Sequence, residues 1–430
     1  VKQAGREAVS AVTGRVIAMP TGHQERLSWS ALSAVLVAMF AITVGYGVAL
    51  PILPFLIEQI AGNPTPETLS WHTGLLTATY VVAIFVGAPF WGKISDRRGR
   101  KPIILLGLLG FAATSGLFAV TSSLPLLYIV RFLAGLFAAA ITPVAYALIG
   151  DHAPSKEWRA HRFALINIAG TAGFFFGPLL GGLAVQIAGR LWSFSPERAL
   201  SMPLLAAVIL AAFAVIFAAL LLPGPVKRQI EDAPAEALQT RRSALVRLLA
   251  IAFVTALAIG AFEVSLSLRG KVLGLDAAHI GAMFAECSLI MAVVQALVFS
   301  PLIKPEITRW LLAPGLGALS VGLISVSIVT TSIPMSIAVA VVAASAGILS
   351  PIATYWASFG ITASEGANLG RMTAAASLGQ AIGSAAGGLL FDVPQFPDAS
   401  FALAALLVAA TLLISLQLPK LLMPETVENK

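Results

Sequence analysis

Three ionisable side chains stand inside stretches that are otherwise apolar: Arg131 in LPLLYIVRFLAGLF, Glu263 in LAIGAFEVSLSL and Glu286 in IGAMFAECSLIMAV. A charge carried into hydrocarbon costs on the order of 2.5–3.5 kcal/mol, so each is expected to face a cavity or a partner and to handle ions or protons. A carboxyl withdrawn from water can exchange a proton near neutral pH or hold a cation. Glu263 and Glu286 therefore rank above every other acid in the chain as proton or cationic-substrate sites. Two simpler placements compete. Arg131 can snorkel to the nearby surface, and Glu263 can pair with Arg269 or Lys271; Glu286 has no cation so near in sequence.

The elements that must position these residues are membrane helices. Of 430 residues, 58% are hydrophobic and 11% charged, and the mean hydropathy is +0.90. A soluble chain carries roughly 25% charged residues, which sets a soluble enzyme aside. Apolar runs of about 20 residues, the length that crosses a bilayer, repeat along the chain. The pattern predicts an all-α polytopic membrane protein of twelve helices in two six-helix halves. The first half occupies 28–222 and the second 244–418, with a tail at 1–27, a polar linker at 223–243 and a short tail at 419–430. Most Lys and Arg residues fall in the tails and alternate loops, while the opposite loops hold only Arg190, Arg198, Arg269 and Lys271. By the positive-inside rule both termini are expected in the cytoplasm.

Other chemistries find little support. The single cysteine, Cys287, forms no internal disulfide and leaves no cysteine-based zinc site. The five histidines are scattered and form no catalytic set. The net charge of +7 is spent in short loops rather than on one basic face, so no nucleic-acid partner is expected. Gly87, Gly92 and Lys93 have phosphate-loop spacing, but Ile94 stands where a magnesium-binding hydroxyl is needed. No metal and no cofactor is implied; the expected partners are the lipid bilayer, protons and a small-molecule substrate, and the chain is expected to act as a monomer.

Three motifs carry more detail. Between the second and third spans runs GKISDRRGRKP, with Gly92, Asp96, Arg97, Gly99 and Arg100. Its cations follow the carbonyl end of one helix, where positive charge is favoured, but Asp96 among them asks for a use. Gly135 follows Arg131 by four residues. In the fifth span, Gly173, Gly177, Pro178, Gly181 and Gly182 form GxxxGPxxGG, and the glycine spacing recurs at Gly379, Gly383, Gly387 and Gly388, 206 residues later. Small residues four apart let helices pack closely. A repeat between halves is expected of a transporter whose halves rock about a central site.

These segments resemble the major facilitator superfamily. The loop is similar to that family's G-x-L-[SA]-D-R-x-G-R-[RK]-P signature, with Ile94 in place of leucine. The resemblance implies that Asp96, with Arg97 and Arg100, acts as a cytoplasmic charge latch contacting the other half. R-x-x-x-G at Arg131 resembles a fourth-helix motif linked to proton coupling. The GxxxGPxxGG run resembles the motif of the antiporter branch, where it is associated with sealing the cavity; a further glycine of fuller versions is replaced by Ala164. GYGVALPILP at 45–54 resembles the opening helix of drug and tetracycline exporters, although the intramembrane acid that some members carry there is missing and Glu58 lies near the outer end. Polar and aromatic cavity candidates are Tyr46, Asn167, Gln295, Tyr355, Trp356 and Gln380, each of which can equally serve as helix-packing glue.

The resemblance implies a major facilitator fold and a proton-coupled exporter of small amphipathic or drug-like molecules in a bacterial inner membrane. Import of a sugar, organic acid or other nutrient with protons is the alternative within that class. A non-transporting membrane receptor is the alternative outside it.

Overall fold

A computed structural model describes residues 27–62, 64–154, 156–191, 196–224, 239–298, 305–358, 365–393 and 396–422. The tails at 1–27 and 419–430 and the linker at 223–243 lie wholly or largely outside the described residues. The chain folds into α1 Trp29–Ala61, α2 Pro66–Arg98, α3 Arg100–Val120, α4 Leu124–Asp151, α5 Lys156–Leu191 and α6 Pro196–Leu221. The second set is α7 Gln239–Val272, α8 Ala277–Val298, α9 Leu312–Ile328, α10 Ser332–Ser358, α11 Glu365–Leu389 and α12 Ala399–Ser415. A 3₁₀ turn, Pro305–Leu311, leads into α9, and β1 Asp392–Val393 pairs with β2 Phe396–Pro397 before α12. Ten helices among the described residues are long and apolar enough to cross a membrane, and α12 is a shorter apolar one. Twelve helices arranged in this way form the architecture of an integral membrane protein.

Local chemistry marks the helix ends. The Ser28 hydroxyl accepts from the Ala31 N–H at 3.1 Å, and Thr65 caps α2 with Pro66 in its first turn. Gly62, at φ 67°, closes α1 in a conformation that glycine adopts without a side-chain clash. Gly99, at φ 92°, is the sole residue between α2 and α3 and makes their reversal possible. Pro51 and Pro54 lie within α1. Large apolar side chains such as Leu220, Ile209 and Leu413 point outward. Exposed large apolar side chains in such number suit a hydrocarbon surround.

The glycine repeat shows how the halves are built and joined. A methyl group at Gly173, Gly177 or Gly181 would strike α1, at Thr43, Val44 and Val48; at Gly379, Gly383 or Gly387 it would strike α7, at Phe253, Leu257 and Ala261. The fourth glycine of each set instead faces the opposite half. Gly182 abuts Ala277 and Ala278 of α8, and Gly388 abuts Ser70 and Gly74 of α2. Three glycines thus fasten α5 and α11 within their own halves, and the fourth makes a seam between halves. Both seams lie toward the end of the bundle away from the termini, hereafter the far end. Further links there run from Lys271 to Glu58, from the Ser267 hydroxyl to the Leu50 carbonyl at 3.2 Å, and from Gln186 Nε2 to Asp276 Oδ2 at 3.0 Å.

Asp276 sits in the turn before α8. Its burial opposes charge, but the backbone N–H and ring of His279 and the amide of Gln186 outweigh that and hold its carboxyl down at about 2. A depressed carboxyl contributes to stability above its unfolded value near 4 and loses that contribution as pH falls through about 2. The Gln186–Asp276 link is therefore expected to persist from pH 5 to pH 8. Thermal unfolding of Asp276→Asn alongside the parent should show a difference that is present at pH 5 and shrinks as pH falls toward 2.

Candidate substrate and proton site

The close helix seams determine where the ionisable residues meet. Gly135, one turn after Arg131, would place a methyl group 2.2 Å from the Tyr80 carbonyl oxygen, so its lack of a side chain lets α4 rest on the backbone of α2. The Arg131 guanidinium then lies over the Tyr80 ring, 4.9 Å from its centroid, and 5.4 Å from that of Phe118. Such contacts between a cation and aromatic faces strengthen when desolvated, and Arg131 is 3% exposed. Among the described residues its Nε and Nη2 find no hydrogen-bond partner. It does not snorkel to the surface.

Tyr80 stacks on Tyr46 of α1 with centroids 5.1 Å apart, and Tyr46 stacks in turn on Phe174 of α5 at 6.1 Å. The Tyr46 hydroxyl donates to Glu263 Oε2 at 2.7 Å, across the boundary between halves. Gln380 Nε2 donates to the same oxygen at 3.3 Å. Gly260, one turn before Glu263, would place a methyl group 2.4 Å from the Gln380 carbonyl oxygen, so the α7–α11 seam sets the spacing of this pair. The order Arg131, Tyr80, Tyr46, Glu263, Gln380 is one continuous chain of contacts through the middle of the bundle. Glu263 is 4% exposed, and among the described residues it makes no ion pair.

The alternative pairing of Glu263 with Arg269 or Lys271 does not occur. Arg269 Nη1 binds Asp398 Oδ2 at 2.8 Å and Lys271 binds Glu58. Six residues turn an α-helix by about 600°, so Glu263 and Arg269 point to different sides of α7. Burial pushes the Asp398 carboxyl up, and Arg269 opposes that shift.

Other expected residues lie elsewhere. Glu286 is half-buried in an open groove lined by Ile333, Ser336, Ile337 and Ala340, and does not join the Glu263 cluster. Asn167 accepts from the Tyr146 hydroxyl at 2.8 Å on an exposed face, and Trp356 Nε1 donates to Thr308 Oγ1 at 3.0 Å in a buried packing contact. Tyr355 packs edge-on against Trp356, and Gln295 is half-buried on α8. Tyr80 is the member of the site that the sequence reading missed. The available signal was the glycine after Arg131, which marks where α4 must touch another backbone.

At the end nearer the termini, Asp96 binds Arg100 Nη1 at 2.7 Å, while Arg100 Nε donates to Asp151 Oδ2 at 2.9 Å and its Nη1 to the Ser95 hydroxyl at 2.6 Å. These partners all belong to the first half, and Arg97 is exposed. The Arg100 side chain is 9% exposed and that of Asp96 51%. Arg100→Ala is therefore expected to cost about 1.5–3 kcal/mol, since it removes a charge-assisted hydrogen bond to the Asp151 carboxylate, whose side chain is 16% exposed. Asp96→Asn should cost less than about 1 kcal/mol. Thermal unfolding of the two variants in detergent compares them directly.

The architecture and motifs have counterparts among known proteins. Residues 35–367 match the family model described as Major Facilitator Superfamily. The class C tetracycline resistance protein of Escherichia coli is 28% identical over 334 residues, which cover 75% of this chain and 79% of that one. The class E tetracycline resistance protein of Escherichia coli is 35% identical over 153 residues, 36% of each chain. The quinolone resistance protein NorA of Staphylococcus aureus is 29% identical over 153 residues, 36% of this chain and 38% of that one. Several of these matches thus span about a third of the relative's length. Among solved structures, the human organic anion transporter MFSD10 (TETRAN) superposes with a TM-score of 0.67 at 20% identity, over 90% of this chain and 99% of that one. A bacterial homologue of the human lysosomal transporter Spinster, inward-facing and occupied, gives 0.66 at 17% identity over 91% and 95%. Transporters of this fold carry small molecules across membranes, and with a family match over most of its length this chain belongs to the major facilitator superfamily.

Proposed function

We propose that the protein is a proton-coupled exporter of small amphipathic or drug-like molecules, acting as a monomer in a bacterial inner membrane with both termini in the cytoplasm. One observation carries the reading: a buried carboxylate, Glu263, meets the other half of the molecule through the Tyr46 hydroxyl at mid-bundle. A proton arriving at Glu263 changes a contact between halves that must part for the far end to open. Deprotonation strengthens the Tyr46 bond, because a hydrogen bond to an ionised acceptor is roughly twice as strong as a neutral one. Protonation weakens it. Arg131 acts here as a positioning residue, holding Tyr80, which in turn holds Tyr46. The likeness to tetracycline and quinolone resistance proteins favours export and a drug-like cargo. The Asp96–Arg100–Asp151 cluster biases the cytoplasmic gate.

The test uses inside-out vesicles with an imposed proton gradient and a panel of dyes, antibiotics and metabolites. Substrate-induced proton release is the expected result. Uptake of any substrate with no proton movement, and no response to collapse of the gradient, would overturn the coupling.

A further inference from the structure

Glu286 lies on the outward face of α8. Leu289, Val293 and Leu297, three, seven and eleven residues beyond it, share that helical face and are exposed. Beside Glu286 runs an open groove of about 410 Å³, walled by Ile333, Ser336, Ile337 and Ala340 of α10, with both isoleucines exposed. These walls all belong to the second half and face outward, so the groove is filled from the surrounding leaflet and not from the space between halves. Among the described residues, Glu286 makes no ion pair or hydrogen bond, and the Ser336 hydroxyl finds no hydrogen-bond partner. A carboxylate against hydrocarbon is costly unless a cation offsets its charge.

We propose that this groove binds a phospholipid with a primary-ammonium headgroup, its ammonium on Glu286 and its acyl chains along Leu289 and Val293. Both α8 and α10 begin at the far end, and Glu286 lies six residues, about 9 Å, beyond Ile280, where the apolar run of α8 starts. Side chains lean toward the N-terminus of a helix, so this carboxylate tilts toward the headgroups of the far leaflet. A primary ammonium matches it in charge and, like that of a lysine, brings N–H donors for both Glu286 and the Ser336 hydroxyl. Hydrogen bonds to an ionised acceptor are roughly twice as strong as neutral ones. A quaternary ammonium carries the same charge without an N–H donor, so the site is expected to distinguish the two. The inference goes beyond the transport reading and does not depend on it, because it concerns the surface that meets lipid and not the gradient.

Native mass spectrometry of the purified full-length protein tests this, after exchange into micelles holding equal amounts of dioleoyl phosphatidylethanolamine and dioleoyl phosphatidylcholine. The parent should carry a phosphatidylethanolamine, preferred about fivefold or more over phosphatidylcholine. Glu286→Gln should lose that preference, and Glu286→Asp should keep part of it. Ile337→Trp, which fills the groove and leaves the carboxylate in place, should lose the bound lipid. If Glu286→Gln does not fold, the parent's choice between the two lipids and the loss in Ile337→Trp decide the matter. Equal retention of both lipids by the parent, an unchanged preference in Glu286→Gln, or full lipid retention in Ile337→Trp would each overturn the proposal. So would Glu286-dependent retention of tetraphenylphosphonium, a lipid-soluble cation without N–H donors, in place of phosphatidylethanolamine, which would assign the groove to cationic cargo.

Discussion

Glu263→Gln should reduce proton-driven export by at least about tenfold, equivalent to ~1.4 kcal/mol or more, while leaving the folded protein in the membrane. Glutamine keeps the shape of the side chain and an oxygen for Tyr46 and Gln380 to bond, but it cannot release a proton. Tyr46→Phe removes the hydroxyl that links Glu263 to the other half. Hydrogen bonds to charged groups contribute about 1.5–3 kcal/mol, so this variant should transport roughly tenfold more slowly and show an altered pH profile, which a purely structural loss would not produce. Glu286→Gln should retain most of the activity, because Glu286 lies in a groove with Ile333 and Ile337, apart from the cluster. Gradient-driven uptake into vesicles separates the three variants. Full activity in Glu263→Gln would remove the proposed proton site.

The second large effect is expected at the glycines that join the halves. A methyl group at Gly383 would sit 1.9 Å from the Leu257 carbonyl oxygen, a main-chain atom within the same half. Gly383→Ala should therefore impair folding, and its yield in the membrane should collapse. At Gly182 the nearest atom would be the Ala278 Cα at 2.4 Å, and at Gly388 the Ser70 carbonyl oxygen at 2.3 Å, both in the opposite half. Here the strain is relieved by parting the halves at the far end. Overpacking of this kind costs roughly 1–3 kcal/mol, enough to shift a two-state balance about fivefold or more. Gly182→Val and Gly388→Val should thus fold and favour the arrangement open at the far end. Cys287 is the single cysteine of the chain and is 5% exposed on α8, beside Ser288, whose hydroxyl donates to the Phe174 carbonyl across the seam. Labelling of Cys287 by a membrane-impermeant maleimide added to the far side should rise at least about fivefold in both valine variants. An unchanged rate would show that these glycines do not hold the seam.

Much of the fold was legible because membrane helices announce themselves by length and hydropathy. The repeated glycines also revealed that the halves are related, since a spacing of four residues marks one helix face wherever it occurs. The site was only partly legible. Arg131 and Glu263 stood out because charge is rare in apolar segments, yet nothing in one dimension distinguishes Glu263, which faces the other half, from Glu286, which faces a groove. That difference depends on the rotation of α7 and α8 about their axes, and the charge-poor sequence of these helices carries little periodic pattern to reveal it. Tyr80 was invisible for a related reason: a tyrosine is ordinary in a membrane helix until Gly135 brings Arg131 over its ring. Asn167 and Trp356 qualify as cavity candidates on the same polar or aromatic grounds, yet bond to neighbours in their own half.

The fourth-glycine seams rest mainly on main-chain atoms: Gly182 on Ala277 and Ala278, Gly388 on Ser70 and Gly74. Main-chain atoms are common to all residue types, so the gate is nearly blind to which side chains line the space between halves. Mutation can then rewrite cargo preference one side chain at a time without disturbing the moving parts. In the proposed exporter, a hinge separate from the side chains that meet the cargo would let the range of cargo change while the motion is kept.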